Sequence, residues 1–262
     1  MTTFVQEYSA VLLRTETLEV KLATTFAEID AALRLRFEVF NLELQEGLLA
    51  SYERGFDTDA YDAYCDHLII KDLSTNKVVG TYRLLRQRVA ERNIGFYSEN
   101  EFDLTNLKRL PGELLELGRS CVAHAYRNAT TISRLWNAII EYARQRGIAY
   151  LFGCGSLHQA EVADVLPLYA YLRDHYCAPE EFRVQPRAVC RMPFDENAPV
   201  LYEARAMLRS LSPVMKGYLR AGAMICGAPA FDAEFGTADV LVLLEMDKLT
   251  ARYRNHYAER AA

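Results

Sequence analysis

The chain has 262 residues, 51% of them hydrophobic and 25% charged, enough apolar material for one large soluble domain or two small ones. A formal net charge of -5 excludes a general nucleic-acid binder, whose affinity comes largely from Lys and Arg neutralising phosphates. The six cysteines (Cys65, Cys121, Cys154, Cys177, Cys190, Cys226) form no CxxC pair and no His/Cys cluster at zinc-finger spacing, so no metal is expected. With no signal-peptide pattern and no long apolar run, the expectation is a cytoplasmic protein with reduced thiols, with at most a peripheral contact at the inner membrane.

In chain order, "TLEVKLA" (17–23) alternates Leu18, Val20 and Leu22 and predicts a first strand. "TTFAEIDAALRLRFEVFNLELQ" predicts a helix. Thr25 and Glu28 make a capping-box pattern, and Ile29, Leu33, Phe37 and Phe40 recur at three and four as an apolar face. "SYERGFDTDAYDAYC" is acidic, aromatic and aperiodic, and reads as a long loop of the kind that carries function. Strands at 67–72 and 77–86 flank the turn-forming "STN" and predict a hairpin. The polar stretch from 90 to 112 predicts an excursion with a short helix near 104–109.

"ELLELGRSCVAH" (113–124) then reads as a central strand that carries one acid and one base, Glu116 and Arg119. Charged groups are rarely buried unless paired or used. In a regular strand those two residues, three apart, point to opposite faces, so Gly118 between them is the expected site of a β-bulge with free amide groups. The next helix carries Ile132, Leu135, Trp136, Ile139 and Tyr142 on one face and stops at Gly147. With the strand "IAYLFGCGSL" it completes a βαβ unit, expected as a right-handed crossover between parallel strands. Beyond it the pattern predicts a helix at 164–175, a strand at 182–193, helices at 197–209 and 213–222, and the strand "ADVLVLLEM". At the C-terminus, Leu249, Tyr253 and Tyr257 lie at helical spacing among basic residues, as a packing helix or a weak membrane-surface contact would.

GxSxG, Walker A and HExxH are absent, and "GCGSL" lacks the context of a dinucleotide fingerprint. Three clusters remain: Arg36 with Phe40, Asp59 with Asp62, and Glu116 with Arg119. Each alone has an ordinary explanation, as solvated helix, surface loop or paired strand charges. Cys121, on a strand with no base at motif spacing, reads as a small core residue.

The order of these clusters, with "VVGTYRLL" and "ELGRS", resembles that of acyl-homoserine lactone synthases, relatives of the GCN5-type N-acyltransferases. "YDAYCDHLIIKD", "VVGTYRLLRQ", "FYSENEFDL", "ELGRSCVAHAYR", "LFGCGSL" and "MKGYLRAGAMICGAPAFDAEFGTADVLVLL" resemble the bacterial ornithine lipid N-acyltransferases more specifically, over about residues 17–247. The resemblance implies a GCN5-related (GNAT-like) α/β fold with a mixed, mostly antiparallel sheet, splayed near 113–124 and flanked by helices. It implies one acyltransferase domain over 1–262, with a core at about 17–195 and a C-terminal elaboration at about 196–262.

The implied reaction moves a 3-hydroxy fatty acyl group from the phosphopantetheine arm of acyl carrier protein to the α-amine of ornithine, giving a lyso-ornithine lipid. No permanently bound cofactor is implied. The synthases' cleft positions correspond to Arg36, Phe40, Asp59, Asp62, Arg83, Phe96, Glu116 and Arg119. Glu116 is the first choice for a carboxylate that deprotonates the amine through water. Asp59, Asp62 or Glu43 would hold the second ammonium, and Arg36 or Arg119 the carboxylate. Arg127, Arg134, Arg144 and Arg146 flank the central helix and would meet the acidic carrier protein or its phosphopantetheine.

The chain also departs from these relatives. The synthases have a tryptophan shortly after the phenylalanine of the first helix, where this chain reads "NLELQEG". The Arg/Gln-x-x-Gly-x-Gly/Ala pyrophosphate pattern of coenzyme A enzymes is reduced to "RNATTI", which favours a carrier protein over coenzyme A as donor. An acyltransferase using glycine, lysine or an aromatic amino acid, a homoserine lactone-like signal synthase, and a non-catalytic acyl-binding or haemolysin-like protein are the competing readings.

Overall fold

The computed structural model describes residues 10–158, 161–196 and 198–249. Its strands are β1 Val11–Arg14, β2 Leu18–Leu22, β3 Asp66–Asp72, β4 Lys77–Arg86, β5 Phe102–Asp103, β6 Glu113–Val122, β7 Ile148–Ser156, β8 Gln185–Pro186, β9 Met224–Ile225, β10 Ala230–Asp232 and β11 Thr237–Glu245. The α-helices are α1 Phe26–Arg36, α2 Ser51–Arg54, α3 Gln87–Ala90, α4 Ala129–Arg146, α5 Val162–Tyr176, α6 Ala204–Ser210 and α7 Pro213–Ala221. The chain forms two compact units, and the division falls inside β6, between Glu116 and Leu117.

The first unit holds residues through Leu85 together with Leu117–Ile148. β2 pairs antiparallel with both β1 and β3, and the 67–86 hairpin forms as expected, with an irregularity between Ile70 and Lys71. β6 follows β4 in the strand order, and the Ala123 amide donates to the Val79 carbonyl at 2.9 Å. Helix α1 starts where the sequence places it: the Thr25 side chain accepts from the Glu28 amide, and Glu28 in turn accepts from Lys21 at 2.7 Å. The buried face of α1 differs from the expected one. Ala32, Leu35, Arg36 and Val39 are buried, whereas Ile29, Leu33, Phe37 and Phe40 are half-buried. Both stripes satisfy helical spacing, and the buried one is the stripe that takes Arg36 inward to its aspartates.

Beyond Arg36 the helix widens into a π-turn over Phe37–Glu43 rather than continuing as α. Helix α4 is capped by the Asn128 side chain and closed by Gly147 at φ 65. Its inner face is close to expectation, with Leu135, Trp136, Ile139 and Tyr142 buried; Ile132 instead is 38% exposed. The Tyr142 hydroxyl donates to Asp66 at 2.6 Å, which gives this core tyrosine a hydrogen-bond partner.

The second unit holds Arg86–Glu116 and the residues from Ala149 onward. β7 pairs antiparallel with β11, which also takes β9 and β10, and β5 pairs with β8. The expected strand at 182–193 does not form. β8 is only two residues long and lies between single 3-10 turns at Glu180–Phe182 and Ala188–Cys190. Pro186 and Pro193 lack the amides that a longer ladder needs. For a similar reason the helix expected from 197 begins only at Ala204, five residues after Pro199. The helix expected near 104–109 is a single 3-10 turn, Leu107–Arg109. Tyr253 and Tyr257 lie outside the described residues.

Candidate active site

In the first unit, α1, the loop that follows it and strands β4 and β6 bring three arginines onto three aspartates. Arg36 is 1% exposed and donates to Asp57 at 2.8 Å and to Asp62 at 2.6 Å. Arg83 donates to both oxygens of Asp59 at 2.6 Å and to Asp62 at 3.3 Å. Arg119 donates to the other oxygen of Asp57, and its guanidinium lies 4.6 Å from the centroid of the Phe40 ring. The π-turn after α1 carries that ring. Asp59 and Asp62 close a reciprocal capping box around the 3-10 turn Ala60–Tyr64, which fixes both carboxylates for the arginines.

Burial would raise the Asp62 carboxyl, but the Arg36 and Arg83 charges outweigh it and hold the group well below the usual carboxylate range. Asp57 follows the same balance: burial pushes it up, Arg119 and Arg36 pull it further down. Asp57 and Asp62 are therefore ionised at neutral pH, and three arginines face three aspartates. Asp57, fully buried and shared between two arginines, is its central residue, and the sequence reading missed it. Its position two residues before Asp59 in "FDTDAYD" was the available signal.

Strand β6 is irregular where the sequence requires it, one residue later than expected. Gly118 keeps an ordinary φ, whereas Arg119 takes φ 50, in the left-handed region uncommon for any residue but glycine. The burial of β6 changes there, with Leu114 through Leu117 buried and Gly118 through Ser120 half-buried. Beside it, Cys121 is a core thiol that burial pushes up to about 12, so it is unfit as a nucleophile.

Glu116 lies in the second unit and has different partners from Arg119. It accepts from the Tyr97 amide at 2.8 Å, the Ser98 amide at 2.7 Å and the Ser98 hydroxyl at 2.6 Å. Both carboxylate oxygens therefore hold the start of the 3-10 turn Tyr97–Asn100. Phe96, expected to line the cleft, is a core residue at 1% exposure, packed edge-on against Phe152 at 4.9 Å.

The same unit holds acids that the sequence reading did not find. Glu101, Cys154 and Asp239 place their side-chain oxygen and sulfur atoms within 4.8 Å of one another. Cys154 donates to Ser98 Oγ at 3.3 Å and to Glu101 at 3.4 Å. Asp232 accepts from the Tyr97 hydroxyl at 3.3 Å, and Asp239 from Thr237 Oγ1 at 3.0 Å. Burial, then the charges of Asp239 and Asp232, push the Glu101 carboxyl up to about 9. Asp239 rises to about 6, chiefly through burial. These residues stand 53 and 85 positions apart in the chain, at no motif spacing, and only the folding of β11 against β7 brings Asp239 to Cys154.

The remaining expected residues range from exposed to half-buried. Glu43 takes Arg127 in a two-point ion pair, and Arg144 pairs with Glu141 at 2.8 Å. Arg134 is half-buried on α4, and Arg146 stacks on the Tyr142 ring at 3.8 Å. Among the described residues, no helix is long and apolar enough to cross a membrane.

Comparison with known proteins agrees with this architecture. Residues 35–137 match the family model for an acetyltransferase (GNAT) domain. The chain is 39% identical over 261 residues to L-ornithine N(alpha)-acyltransferase of Rhizobium meliloti (strain 1021), covering 97% of this chain and 88% of that one. It is 37% identical over 269 residues to the protein of the same name in Brucella abortus (strain 2308), covering 98% and 95%. Among solved structures, the N-acyl amino acid synthase FeeM from uncultured soil microbes aligns over 90% of this chain and 94% of its own, with a TM-score of 0.53 and 11% identity. That likeness shows the GNAT fold.

Proposed function

The chain belongs to the L-ornithine N(alpha)-acyltransferase family, and from that premise we propose that it moves a 3-hydroxy fatty acyl group from acyl carrier protein to the α-amine of ornithine, releasing a lyso-ornithine lipid. The observation that carries this reading is identity of 39% across 97% of the chain to a relative of that name. It is an acyltransferase with a GNAT domain.

A thioester is already activated, so the chemistry needs a neutral amine in place and stabilisation of the oxyanion that forms as it attacks. An α-amino group with a reference pKa of about 7.7–8.0 is partly neutral near pH 7, so proton removal is a small task. Glu116 was expected to do it, yet its oxygens hold the Tyr97 and Ser98 amides. The reading these bonds support is that Glu116 fixes the 97–100 turn, and that water takes the proton without moving that carboxylate. The left-handed backbone at Arg119 supports an oxyanion role for this part of β6, because a broken alternation turns amides away from the ladder.

Arg36, Arg83 and Arg119 are each committed to aspartates. Of the three, Arg119 keeps the most exposed side chain, at 13%, and is the better candidate to take the acceptor carboxylate. Asp59, Asp62 and Glu43 are each neutralised by an arginine, which argues against their holding a second ammonium. A carrier-protein donor is supported at the start of α4. There Arg127 is tied to Glu43 and the Asn128 side chain caps the helix, so the usual pyrophosphate cradle of coenzyme A enzymes is not built.

The test is direct. Purified protein given 3-hydroxyacyl carrier protein and ornithine yields N-acyl ornithine by mass spectrometry. No product with any of ornithine, lysine, glycine or phenylalanine would refute an acyltransferase using amino acids, and product from glycine alone would refute ornithine. Equal turnover with 3-hydroxyacyl coenzyme A would refute the carrier-protein preference.

A further inference from the structure

We propose that Glu101 and Asp239 form the acceptor-specificity site, a buried acidic pocket that receives the side-chain ammonium of the amino-acid acceptor. This rests on the ornithine reading above. Three observations carry it.

First, Glu101 is 3% exposed and its Oε2 has no hydrogen-bond partner. A buried carboxyl oxygen left unpaired is costly, so its persistence calls for a ligand that satisfies it. Second, neither Glu101 nor Asp239 makes a salt bridge with a lysine or arginine among the described residues, unlike the aspartates of the Arg36 network. Their hydrogen-bond partners, Cys154, Thr237 and Ser156, are neutral, and among basic groups only the His158 side chain acts on Asp239. Burial disfavours ionisation of this pair, and a cation entering between the two carboxyls would favour their ionised form.

Third, the geometry suits an ammonium. Two carboxylate oxygens that share a tetrahedral –NH₃⁺ at ordinary N–H···O distances stand roughly 4.6 Å apart. The Glu101 and Asp239 oxygens lie within 4.8 Å of each other, close enough for one ammonium to reach both. Along one face of β7, exposure rises from buried Phe152 through half-buried Cys154 and Ser156 to exposed His158, so the cluster lies towards the surface end of the strand. Asp239 lies opposite Ser156 across the β7–β11 pair. The α-amine at the other end of the acceptor stays outside the acids and neutral enough to attack.

The experiment compares ornithine with norvaline, the same skeleton without the δ-amine, as acceptors for wild type, Glu101→Gln and Asp239→Asn. Folding of each variant is checked by circular dichroism. Wild type is expected to prefer ornithine in kcat/KM by roughly 10- to 100-fold, the range of a charge-assisted hydrogen bond, with most of it in KM. In either variant that ratio collapses towards one. A wild type that acylates norvaline as well as ornithine overturns the proposal without any variant, and so do folded variants that keep the full preference. Ornithine turnover that is abolished by a chelator and restored by zinc also overturns it, by making the cluster a metal site. Failure of wild type to acylate any amino acid is a different result, which overturns the parent reading.

Discussion

Replacing Arg36 with Met removes the guanidinium that bridges Asp57 and Asp62 while keeping most of the side-chain volume. Both aspartates are buried, Asp57 completely, and each loses one of its arginines. Breaking a buried ion pair from one side costs about 3–5 kcal/mol, because the remaining charge is left uncompensated. Here Asp57 keeps Arg119 and Asp62 keeps Arg83, so the loss falls at the lower end, about 3 kcal/mol. In a chain of this size about 1 kcal/mol shifts Tm by roughly 2–4 °C, so differential scanning calorimetry at pH 7 is expected to show a fall of roughly 6–12 °C. The pH dependence has a definite sign. The Asp62 carboxyl is held below its ordinary 3.8, so its contribution is present above that pH and is lost as pH falls towards the folded-state value. The difference between wild type and Arg36→Met therefore narrows below about pH 4. The double variant Arg36→Met/Asp62→Asn is expected to regain part of the loss. A Tm within about 2 °C of wild type at pH 7 would show that the network is solvated and would refute the reasoning.

Glu116→Gln turns an amide –NH₂ towards either the Tyr97 or the Ser98 amide, and is expected to lower stability by about 1–3 kcal/mol in urea unfolding. Lost turnover at unchanged stability would assign Glu116 to proton transfer instead. Glu101→Gln is expected to flatten the stability-pH curve between pH 5 and pH 8. The carboxyl, raised from 4.5 to about 9, favours the folded state most when protonated, so wild-type stability falls as pH rises through that window. Parallel Tm curves for the two proteins would contradict the raised value. Cys121 is expected to stay unlabelled by iodoacetamide at pH 8 in the native state while exposed Cys177 reacts, as peptide mass spectrometry would show. Native labelling of Cys121 would contradict its burial.

The acidic cluster and the arginine network carry their charge differently. In the first unit three aspartates face three arginines, and the charges are paired within the chain. In the second unit Glu101 and Asp239 are buried beside other acids and are pushed towards the protonated form. Networks of the first kind fix backbone elements in place. Carboxylates of the second kind remain available to a cationic ligand.

The sequence by itself determined the local elements. Periods of two and 3.6 placed β2, the β3–β4 hairpin, β6, α4, β7, α5, α7 and β11, because side-chain alternation and helical spacing are written in consecutive residues. It also singled out Arg36, Asp59, Asp62, Arg83 and Arg119, through ordered matches to related sequences, and the structure gathers those five into one network. Prolines ended the strand at 182–193 and delayed the helix from 197, and both signals are present in the sequence.

Tertiary structure alone decided the rest. Which stripe of α1 is buried depended on where Asp57 lay, a residue whose own role depends on Arg119, 62 positions further on. The break in β6 fell at Arg119 rather than at Gly118, because an ion pair to Asp57 and the Phe40 ring hold that side chain. Glu101 and Asp239 were invisible in sequence because they meet only when distant segments fold together, and pairing across 138 residues leaves no local period to read.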